Sequence, residues 1–332
     1  MIEPVFKIEK ISKSYSGHVV LKDVSFEIMP SEILGIMGAS GSGKTTLLNT
    51  IIGFVQPEQG DVLFRLNHLL TFKNTSIYRS VYQKQSIVKT IYGFASQVPS
   101  FYEELTVKEN LEYFGILHNL SKDAINSNTE TLLSLMNLQY ATNIQAKNLS
   151  GGMKRRLDIA CSLIHDPDVL ILDEPTADLD PIHRHQIWNL IKKINSKGTT
   201  IILSSHHLTE LDNLCDRVAL IKENKIFALD SPENLKKQFV RQQEIILRTK
   251  SEKYDSLIKK LKGKYIEHTR VSNNFLHIYS TNIEKTLMDI IEDIQNSKEE
   301  LEFIEVTKSS LDDVFINIVK KDEFEEKIKK EK

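Results

Sequence analysis

The sequence predicts an α/β fold with a mostly parallel, doubly wound sheet, followed by a small α+β domain. Three observations support this prediction. A glycine-rich loop, 38–46, lies between an apolar strand pattern, 33–37, and a helical pattern. Short apolar runs at 169–172 and 199–203 are typical of buried parallel strands, and helical patterns separate them. Beyond residue 240, shorter elements follow in the order βαββαβ, which is the ferredoxin-like arrangement.

The glycine-rich loop fits the phosphate-binding pattern G-x-x-x-x-G-K-[ST]. Its glycines allow successive backbone N–H groups to point at phosphate oxygens, and the N-terminus of the next helix favours negative charge there. Lys44 would reach the β- and γ-phosphates, and Thr45 would reach a Mg²⁺ ion. The residues predicted to bind the nucleotide here are Gly38, Ser40, Gly41, Ser42, Gly43, Lys44, Thr45 and Thr46.

The bulk composition is that of an ordinary globular protein: 332 residues, 40% hydrophobic and 27% charged, which is long enough for two domains. Lys and Arg (43) nearly balance Asp and Glu (45), so no global field favours a nucleic-acid partner, and none is expected. No apolar run approaches the roughly 20 residues that span a bilayer, and the N-terminus lacks a secretory signal pattern. Cys161 and Cys215 lie in helical, partly apolar patterns that suit reduced cytosolic thiols.

The segment before the phosphate loop alternates apolar and polar residues, which predicts a small antiparallel sheet. Tyr15 lies at a turn in this segment, where its ring could stack on a nucleotide base or cover the sheet edge. The polar region 66–92 fits a short helix plus loop. A helical subdomain is then expected over about 98–165, with helices at Val107–Asn119, Lys122–Met136 and Arg155–His165.

Cap and turn residues mark the remaining elements. Asp180 and Pro181 are of the types preferred at the N-cap and the first position of a helix. Glu223-Asn224 and Asn273-Asn274 predict hairpin turns. The domains expected from these patterns are a nucleotide-binding domain over 1–240, a small α+β domain over 241–320 and a charged tail over 321–332.

The segment Leu149-Ser150-Gly151-Gly152-Met153 is followed by basic residues and a helical pattern. It resembles the signature loop of ATP-binding-cassette (ABC) ATPases, and residues from about 3 to 240 resemble that family in the order of their motifs. The resemblance implies a P-loop cassette that works as a dimer, in which Ser150, Gly151 and Gly152 complete the ATP site of the second subunit. A serine and two glycine N–H groups at a helix N-terminus suit a phosphate anion.

Asp173 and Glu174 follow a predicted buried strand, at the edge where ligands bind in α/β sheets. Asp173 resembles the Walker B aspartate, which holds Mg²⁺ through water. Glu174 resembles the catalytic glutamate of the family, which polarises the attacking water. A carboxylate beside the metal and cations around the γ-phosphate supply what in-line hydrolysis requires.

Further positions match the family by register. Gln97 resembles the Q-loop glutamine, which senses the γ-phosphate and Mg²⁺, and His206, four residues before Glu210, resembles the switch histidine. The resemblance therefore implies Glu174, His206 and Gln97 as catalytic residues. Tyr15 resembles the aromatic residue that stacks on adenine, which favours the base-stacking interpretation.

The segment from Thr176 to Asp180 resembles the D-loop, which crosses the dimer interface in this family. Two positions depart from the family pattern. Ser31 stands where a glycine is usual, and Asp178 occupies a position often held by a small residue. Neither departure removes a predicted catalytic residue.

The implied function is an ATP-hydrolysing subunit that uses ATP and Mg²⁺ to power a separate membrane permease, with an ABC-2-type exporter as the favoured class. Residues 99–111 resemble the segment after the Q-loop in such exporter cassettes. Residues 310–315 resemble the ending S-L-E-D-V-F of the small domain that follows many of them, with Asp312 in place of glutamate. We therefore expect a homodimer, an integral membrane permease as partner, and a peripheral position at the cytoplasmic face of the cell membrane.

The alternative is a soluble ABC ATPase that regulates a non-transport complex. Ribosome-acting members usually carry two cassettes in one chain and chromosome-acting members insert long coiled coils, and the sequence has neither pattern. A degenerate cassette that only binds nucleotide is disfavoured, because Lys44, Asp173, Glu174 and His206 are all present.

Overall fold

The computed structural model describes residues 3–66, 77–83, 89–239, 243–261, 265–307 and 310–315. The chain divides into two units, Met1–Pro232 and Glu233–Lys332. Each unit contains a buried apolar core of its own. The charged tail expected over 321–332 lies outside the described residues.

The strands and helices alternate along the chain as the sequence predicts. The strands are β1 (Phe6–Tyr15), β2 (His18–Ile28), β3 (Ile33–Met37), β4 (Gln59–Leu66), β5 (Ile77–Ser80), β6 (Tyr92–Ala95), β7 (Val169–Asp173), β8 (Thr200–Ser204), β9 (Arg217–Lys222), β10 (Lys225–Asp230), β11 (Gln243–Thr249), β12 (Ile266–Ser272), β13 (Phe275–Ser280) and β14 (Leu301–Thr307). The helices are α1 (Lys44–Ile51), α2 (Val107–Leu117), α3 (Lys122–Leu135), α4 (Gly151–Leu163), α5 (Pro181–Asn195), α6 (Leu208–Leu214), α7 (Pro232–Phe239), α8 (Asp255–Leu261) and α9 (Ile283–Ser297).

The main sheet of the first unit is mostly parallel, with the strand order β10-β9-β3-β8-β7-β6. Every residue of β3, β7 and β8 is buried, as their continuous apolar runs predict. Strand β10 alone runs antiparallel to its neighbour in this sheet, through a hairpin whose turn residues, Glu223 and Asn224, both have positive φ. The carboxyl ends of β3, β7 and β8 therefore meet at one edge, where the expected site residues follow.

A second sheet of the first unit is antiparallel, with the order β2-β1-β4-β5. The antiparallel pairing predicted before the phosphate loop is confirmed. The expectation of a short helix plus loop over 66–92 is wrong at Ile77–Ser80, which form β5 beside β4. Ladder contacts and a hydrogen bond from Ser80 Oγ to Asp61 Oδ1 (2.7 Å) fix this strand, so a distant partner overrides the local pattern. Residues 67–76 and 84–88 of this region lie outside the described residues.

Helices α2, α3 and α4 lie between β6 and β7, where a helical subdomain is predicted. Thr106 and Glu109 form a capping box at the start of α2. Helix α4 begins at Gly151, so the predicted start at Arg155 is wrong. The glycine pair weakens the helical pattern, but Ser150 Oγ accepts a hydrogen bond from the Met153 N–H and caps the helix at that earlier point.

The second unit contains an antiparallel sheet with the order β12-β13-β11-β14. Its strands and the helices α8 and α9 follow one another as βαββαβ, which confirms the ferredoxin-like prediction. Asn273 and Asn274 have φ values of 51° and 66°, as the two-residue hairpin between β12 and β13 requires. Buried apolar residues of the two helices and of the two central strands, β11 and β13, pack in one cluster, which includes Ile245, Leu247, Leu257, Leu261, Leu276, Ile278, Ile290 and Ile294.

Both cysteines are free and buried. Cys161 lies in α4 and Cys215 follows the end of α6, with exposed fractions of 1% and 8%. Burial raises the pKa of both thiols well above the ordinary value, so both are neutral at physiological pH. The expectation of reduced thiols rather than a disulfide framework agrees with this arrangement.

Candidate active site

The phosphate loop connects the end of β3 to the start of α1 at the carboxyl edge of the main sheet. Gly43 has a φ of 99°, in the left-handed region that side-chain-bearing residues rarely adopt. A Cβ atom on Gly43 would also lie 2.9 Å from the carbonyl oxygen of Val20. The backbone at this position therefore requires glycine, as the phosphate-loop pattern demands.

The inner surface of this loop is polar. The Lys44 ammonium is 8% exposed and donates to the carbonyl oxygens of Gly38 (3.0 Å) and Ala39 (3.3 Å). The Ser42 hydroxyl is buried and lacks a hydrogen-bond partner among the residues that the structure describes. A Cβ atom on Gly38 would lie 2.3 Å from Ser42 Oγ, so glycine preserves this space. A buried, unpaired hydroxyl beside an ammonium and a helix N-terminus fits a phosphate anion.

The other predicted loop residues surround this space. Ser40 and Gly41 are exposed, and Gly41 has a φ of 79°. Thr46 is half-buried in the first turn of α1, and its carbonyl oxygen accepts a hydrogen bond from the Thr50 hydroxyl (2.7 Å). The first N–H groups of α1 have no partner within the helix and are available to an anion.

Asp173 is the last residue of β7 and is 3% exposed. Its two carboxylate oxygens have different partners: Thr45 Oγ1 donates to Oδ2 at 2.9 Å, and Ser204 Oγ donates to Oδ1. Strand pairing places Ser204 directly beside Asp173. A hydroxyl and a carboxylate at the phosphate loop fit Mg²⁺, which proteins usually hold through one or two side chains together with phosphate oxygens and water.

Glu174 follows Asp173 and has a φ of 49°, which is unusual for a residue with a side chain. Its N–H donates to the carbonyl oxygen (3.2 Å) and to the hydroxyl (3.1 Å) of Ser204. Glu174 Oε2 lies 2.6 Å from Nδ1 of His206, whose side chain is 51% exposed, whereas that of Glu174 is 11% exposed. The structure thus brings Thr45, Asp173, Glu174, Ser204 and His206 into one hydrogen-bonded group.

The neighbouring His207 does not contact Glu174 in this way. Its ring lies 4.1 Å from that of His206, and burial lowers its pKa. The His207 N–H donates to Ser205 Oγ at 2.9 Å. The geometry therefore favours His206 over His207 as the histidine that acts beside Glu174.

Two predicted residues lie outside the hydrogen-bonded group. Gln97 is exposed, two residues after β6, and β6 pairs with β7 so that Ala95 lies beside Leu172. This places Gln97 at the same sheet edge as Asp173. Tyr15 ends β1 with 46% of its surface exposed, and the Lys13 ammonium lies 5.3 Å from its ring centre. The Tyr15 ring is not part of the core and can contact a ligand.

The signature segment lies at the N-terminus of α4. Ser150 is the N-cap residue and is exposed, and Gly151 has open space around the position of a Cβ atom. Gly152 is packed, since a Cβ atom there would lie 2.6 Å from Cδ2 of His183. Ser150 and Gly151 are exposed at a helix start, but the described residues show no hydrogen bond between the signature segment and the phosphate loop of the same chain.

Sequence motifs do not reveal two features at this sheet edge: the buried ion pair of Arg155 with Asp158, and the buried carboxylate of Glu210. Arg155 is 7% exposed and donates to the carbonyl oxygens of Ser96 (2.7 Å), Asp173 (3.1 Å) and Pro175 (2.9 Å). Its Nη1 lies 3.0 Å from Oδ2 of Asp158, which is 1% exposed. Burial lowers the pKa of Arg155 and raises that of Asp158. The one sequence signal is an acidic residue three positions after a basic one, inside an otherwise apolar helix face.

A second missed residue is Glu210 on α6, which is 1% exposed. Its carboxylate accepts hydrogen bonds from Thr176 Oγ1, Trp188 Nε1 (3.0 Å) and Ser205 Oγ (2.5 Å). These donors come from the segment after β7, from α5 and from the segment after β8. Trp188, which is 8% exposed on α5, therefore makes a polar contact in addition to its apolar packing.

The two departures from the family pattern both lie at positive φ. Ser31 has a φ of 59° and Asp178 a φ of 61°. Glycine adopts this conformation without strain, which explains the usual glycine at the position of Ser31, and aspartate is one of the few residues with a side chain that tolerate it. Asp178 is exposed, so its charge remains in contact with solvent.

The described residues include neither a membrane-spanning helix nor a ready-made metal cluster. Among them, no helix combines the length and apolarity that membrane crossing requires. Nor does the described part of the chain contain a cluster of three or more His, Cys, Asp or Glu residues that could hold a metal ion unaided. A metal at Thr45 and Asp173 would need further oxygen ligands.

Comparison with known sequences yields one family and a group of relatives. A family model described as ABC transporter matches residues 21–177. The Nod factor export ATP-binding protein I of Paraburkholderia xenovorans (strain LB400) is 34% identical over 71% of this chain and 73% of its own length. The protein of the same name from Rhizobium sp. (strain N33) is 30% identical over 93% of this chain and 94% of its own.

Solved structures give the same fold. The protein cbiO1 from Clostridium perfringens, part of the ABC transporter complex cbiONQ, is 26% identical with a TM-score of 0.62, covering 79% of this chain and 96% of that one. The ATP-binding cassette MJ0796, solved as a dimer in a post-hydrolysis state with ADP and Pi, is 25% identical with a TM-score of 0.58. That alignment covers 68% of this chain and 98% of MJ0796.

Proposed function

Because the chain belongs to the ABC transporter family and is one of its ATPases, we propose that it is the nucleotide-binding subunit of an exporter and that two copies close around two ATP molecules. The observation that carries the proposal is the group of Thr45, Asp173, Glu174, Ser204 and His206, hydrogen-bonded beside the phosphate loop. It combines an anion cradle, a place for a metal and a carboxylate next to a histidine.

The phosphate loop binds the triphosphate through its backbone N–H groups and through Lys44, whose ammonium gives up the carbonyl oxygens of Gly38 and Ala39. Thr45, Asp173 and Gln97 would hold Mg²⁺ at this edge of the sheet. When bound, Mg²⁺ neutralises charge on the phosphate oxygens. The exposed ring of Tyr15 stacks on the adenine.

Glu174 orients and polarises the attacking water, because its carboxylate lies one residue beyond Asp173 and is largely shielded from bulk solvent. His206 contacts the same carboxylate at 2.6 Å and is the group closest to it that can exchange a proton or donate to the γ-phosphate. In this arrangement Lys44 and His206 offset developing negative charge while Glu174 fixes the direction of attack.

The second copy contributes Ser150, Gly151 and Gly152 to each site. In one chain these residues make no hydrogen bond to the described part of the phosphate loop, and Ser150 and Gly151 are exposed at the start of α4. A helix N-terminus of this kind attracts phosphate oxygens. We therefore infer that the site is complete only in the dimer; the MJ0796 cassette was itself solved as a dimer.

Export and a membrane partner are supported by two observations. The relatives from Paraburkholderia and Rhizobium are both named as export ATP-binding proteins. The segment after Gln97 exposes apolar and aromatic side chains, with Val98 76%, Tyr102 48% and Tyr113 37% exposed. We place the contact with an ABC-2-type permease there, which would hold the ATPase at the cytoplasmic face of the membrane.

The experiment that tests the catalytic assignment is Glu174→Gln in the full chain. The amide keeps the volume of the side chain but cannot polarise water, so we expect ATP hydrolysis to fall by a factor of about 100 or more. Binding of a fluorescent ATP analogue should persist, and size-exclusion chromatography with ATP should show a dimer.

Glu112→Gln is the matched control, since Glu112 is partly exposed on α2 and, among the described residues, forms an ion pair with Lys108 alone. Its hydrolysis rate should equal that of the parent protein. An unchanged rate in Glu174→Gln would overturn the role proposed for Glu174.

A further inference from the structure

Arg155 makes an unusual set of main-chain contacts for a residue in a helix. Nε donates to the Pro175 carbonyl oxygen and Nη2 to the Asp173 carbonyl oxygen, at 2.9 and 3.1 Å. These two carbonyl groups belong to the residues on either side of Glu174. One planar guanidinium thus holds the backbone before and after the proposed catalytic residue.

The backbone at Glu174 needs this support. Its φ of 49° lies in the left-handed region, which is unfavourable for a residue with a side chain. Such a conformation persists only where surrounding contacts impose it. The Glu174 N–H is fixed by Ser204 from one side, and Arg155 fixes the flanking carbonyl groups from the other. Together they determine where the carboxylate points.

The same guanidinium reaches the segment that carries Gln97. Nη1 donates to the carbonyl oxygen of Ser96 at 2.7 Å and also lies 3.0 Å from Asp158 Oδ2. The other oxygen of Asp158 accepts from the Ser100 N–H (2.9 Å) and hydroxyl (3.2 Å). Arg155 and Asp158 therefore clamp residues on both sides of Gln97.

We propose that Arg155, together with Asp158, is a positioning residue for ATP hydrolysis. From its place near the start of α4 it fixes the main chain around Glu174 and around Gln97, and thereby the position of the Glu174 carboxylate. The inference rests on the proposed role of Glu174. Arg155 touches neither nucleotide nor water in this scheme, and it acts only through the main chain that it holds.

The test is a double-mutant cycle of Arg155→Lys and Glu174→Gln in the full chain, measured as single-turnover cleavage of ATP. Lysine keeps the charge but cannot hold several carbonyl groups in a planar fork. We expect Arg155→Lys to lower the cleavage rate at least tenfold in the native background, while the Kd for a fluorescent ATP analogue changes less than twofold. In the Glu174→Gln background the same substitution should change the cleavage rate less than twofold, since no glutamate remains at position 174 to be displaced.

Arg217→Lys is the matched control in the same unit. Arg217, at the start of β9, donates to the carbonyl oxygen of Glu27 (3.2 Å) and to the carboxylate of Glu32 (3.3 Å), which are not among the proposed site residues. Its substitution should leave the cleavage rate within twofold of the parent. The melting temperature of each variant shows that the protein is folded at the assay temperature.

Two results would overturn the inference: an equal loss of rate from Arg155→Lys in both backgrounds, which a general structural role produces, or no loss in the native background. Full hydrolysis by Glu174→Gln alone would instead refute the role of Glu174, so the two failures are distinguishable. If Arg155→Lys does not fold, Asp158→Asn replaces it in the cycle. The asparagine retains a carbonyl acceptor, so we expect the cleavage rate to fall at least threefold in the native background and not to fall in the Glu174→Gln background. An equal loss of rate in both backgrounds, or no loss in either, again overturns the inference.

Discussion

His118 and His165 illustrate at the residue scale how folding joins side chains that lie far apart in the chain. Their rings stack with centroids 3.6 Å apart, and the His165 Nε2 atom lies 3.2 Å from the Tyr92 carbonyl oxygen. Burial, followed by the charge of His118, lowers the pKa of His165 from 6.5 to about 4, and burial also lowers that of His118. Both rings are therefore neutral in the folded protein at physiological pH.

This pair gives the stability a pH dependence of definite sign. Because the pKa of His165 is lower in the folded state than in the unfolded chain, the unfolded chain binds more protons between those values. The contribution of His165 to stability is fully present above pH 6.5 and is lost as the pH falls toward about 4. We expect His165→Asn to reduce the slope of the melting temperature against pH between about pH 7 and pH 4.5.

The matched control for this measurement is His18→Asn, because His18 is exposed on β2. Its melting temperature should follow pH as that of the parent protein does. An undiminished slope in His165→Asn would show that other groups account for the acid sensitivity.

Single residues also show what sequence analysis can and cannot provide. The phosphate loop, Asp173 and Glu174 are predictable, because their chemistry depends on local order along the chain. Arg155 is not, since it lies in the run Lys154-Arg155-Arg156, which resembles a solvated basic surface. Its partners are main-chain carbonyl groups at three distant positions, and no residue type reveals those in advance.

At the scale of elements, Glu210 joins α6 to α5 and to the segments after β7 and β8. Its buried carboxylate receives three hydrogen bonds, and all three donors are neutral groups. Removing such an acceptor leaves buried donors without partners, which is costly inside a protein. This network fixes the segment of Thr176 relative to that of His206.

We expect Glu210→Gln to lower the free energy of unfolding by about 1–3 kcal/mol, because an NH2 group replaces one of the two accepting oxygens and cannot accept the hydrogen bond which that oxygen received. Urea unfolding monitored by tryptophan fluorescence measures the change, since Trp188 belongs to the network. Glu112→Gln should change the same quantity by less than about 0.5 kcal/mol. Equal stabilities of the two variants would contradict this account of Glu210.

Element positions are predicted better than element boundaries. The hairpins at Glu223-Asn224 and Asn273-Asn274 are confirmed because the turn itself requires residues that tolerate positive φ. The start of α4 is missed because Ser150 determines it, and the glycines behind the cap interrupt the helical periodicity. Strand β5 is missed because its pairing with β4 decides its conformation.

At the scale of the whole molecule, the cassette needs partners to do work. Tyr102 and Tyr113 form an exposed pair, with rings 4.7 Å apart and hydroxyl groups 3.1 Å apart. Aromatic side chains with a polar tip are frequent at the energetic centre of protein interfaces. Their position shortly after Gln97 supports a permease contact that responds to ATP binding and hydrolysis.

We expect Tyr102→Asp to reduce about tenfold the amount of integral membrane protein that co-purifies with the tagged full chain from detergent-solubilised membranes, because a carboxylate would be buried in an apolar contact. The chain offers a matched control in Tyr265→Asp, since Tyr265 is 45% exposed and Tyr102 48%. The proposed surface is wrong if the Tyr102→Asp variant recovers as much membrane protein as the parent. The permease proposal itself fails if the parent protein recovers none.

The burial of Cys161 and Cys215 has a practical consequence for labelling this protein and measuring its conformational changes. Thiolates are the form that reacts with alkylating reagents, and both thiols are shielded and protonated at neutral pH. A maleimide probe would therefore not react with the two native cysteines and would attach to a single cysteine engineered on the surface. Spin labels or fluorophores placed in this way can report the separation of two subunits during turnover without any prior removal of native cysteines.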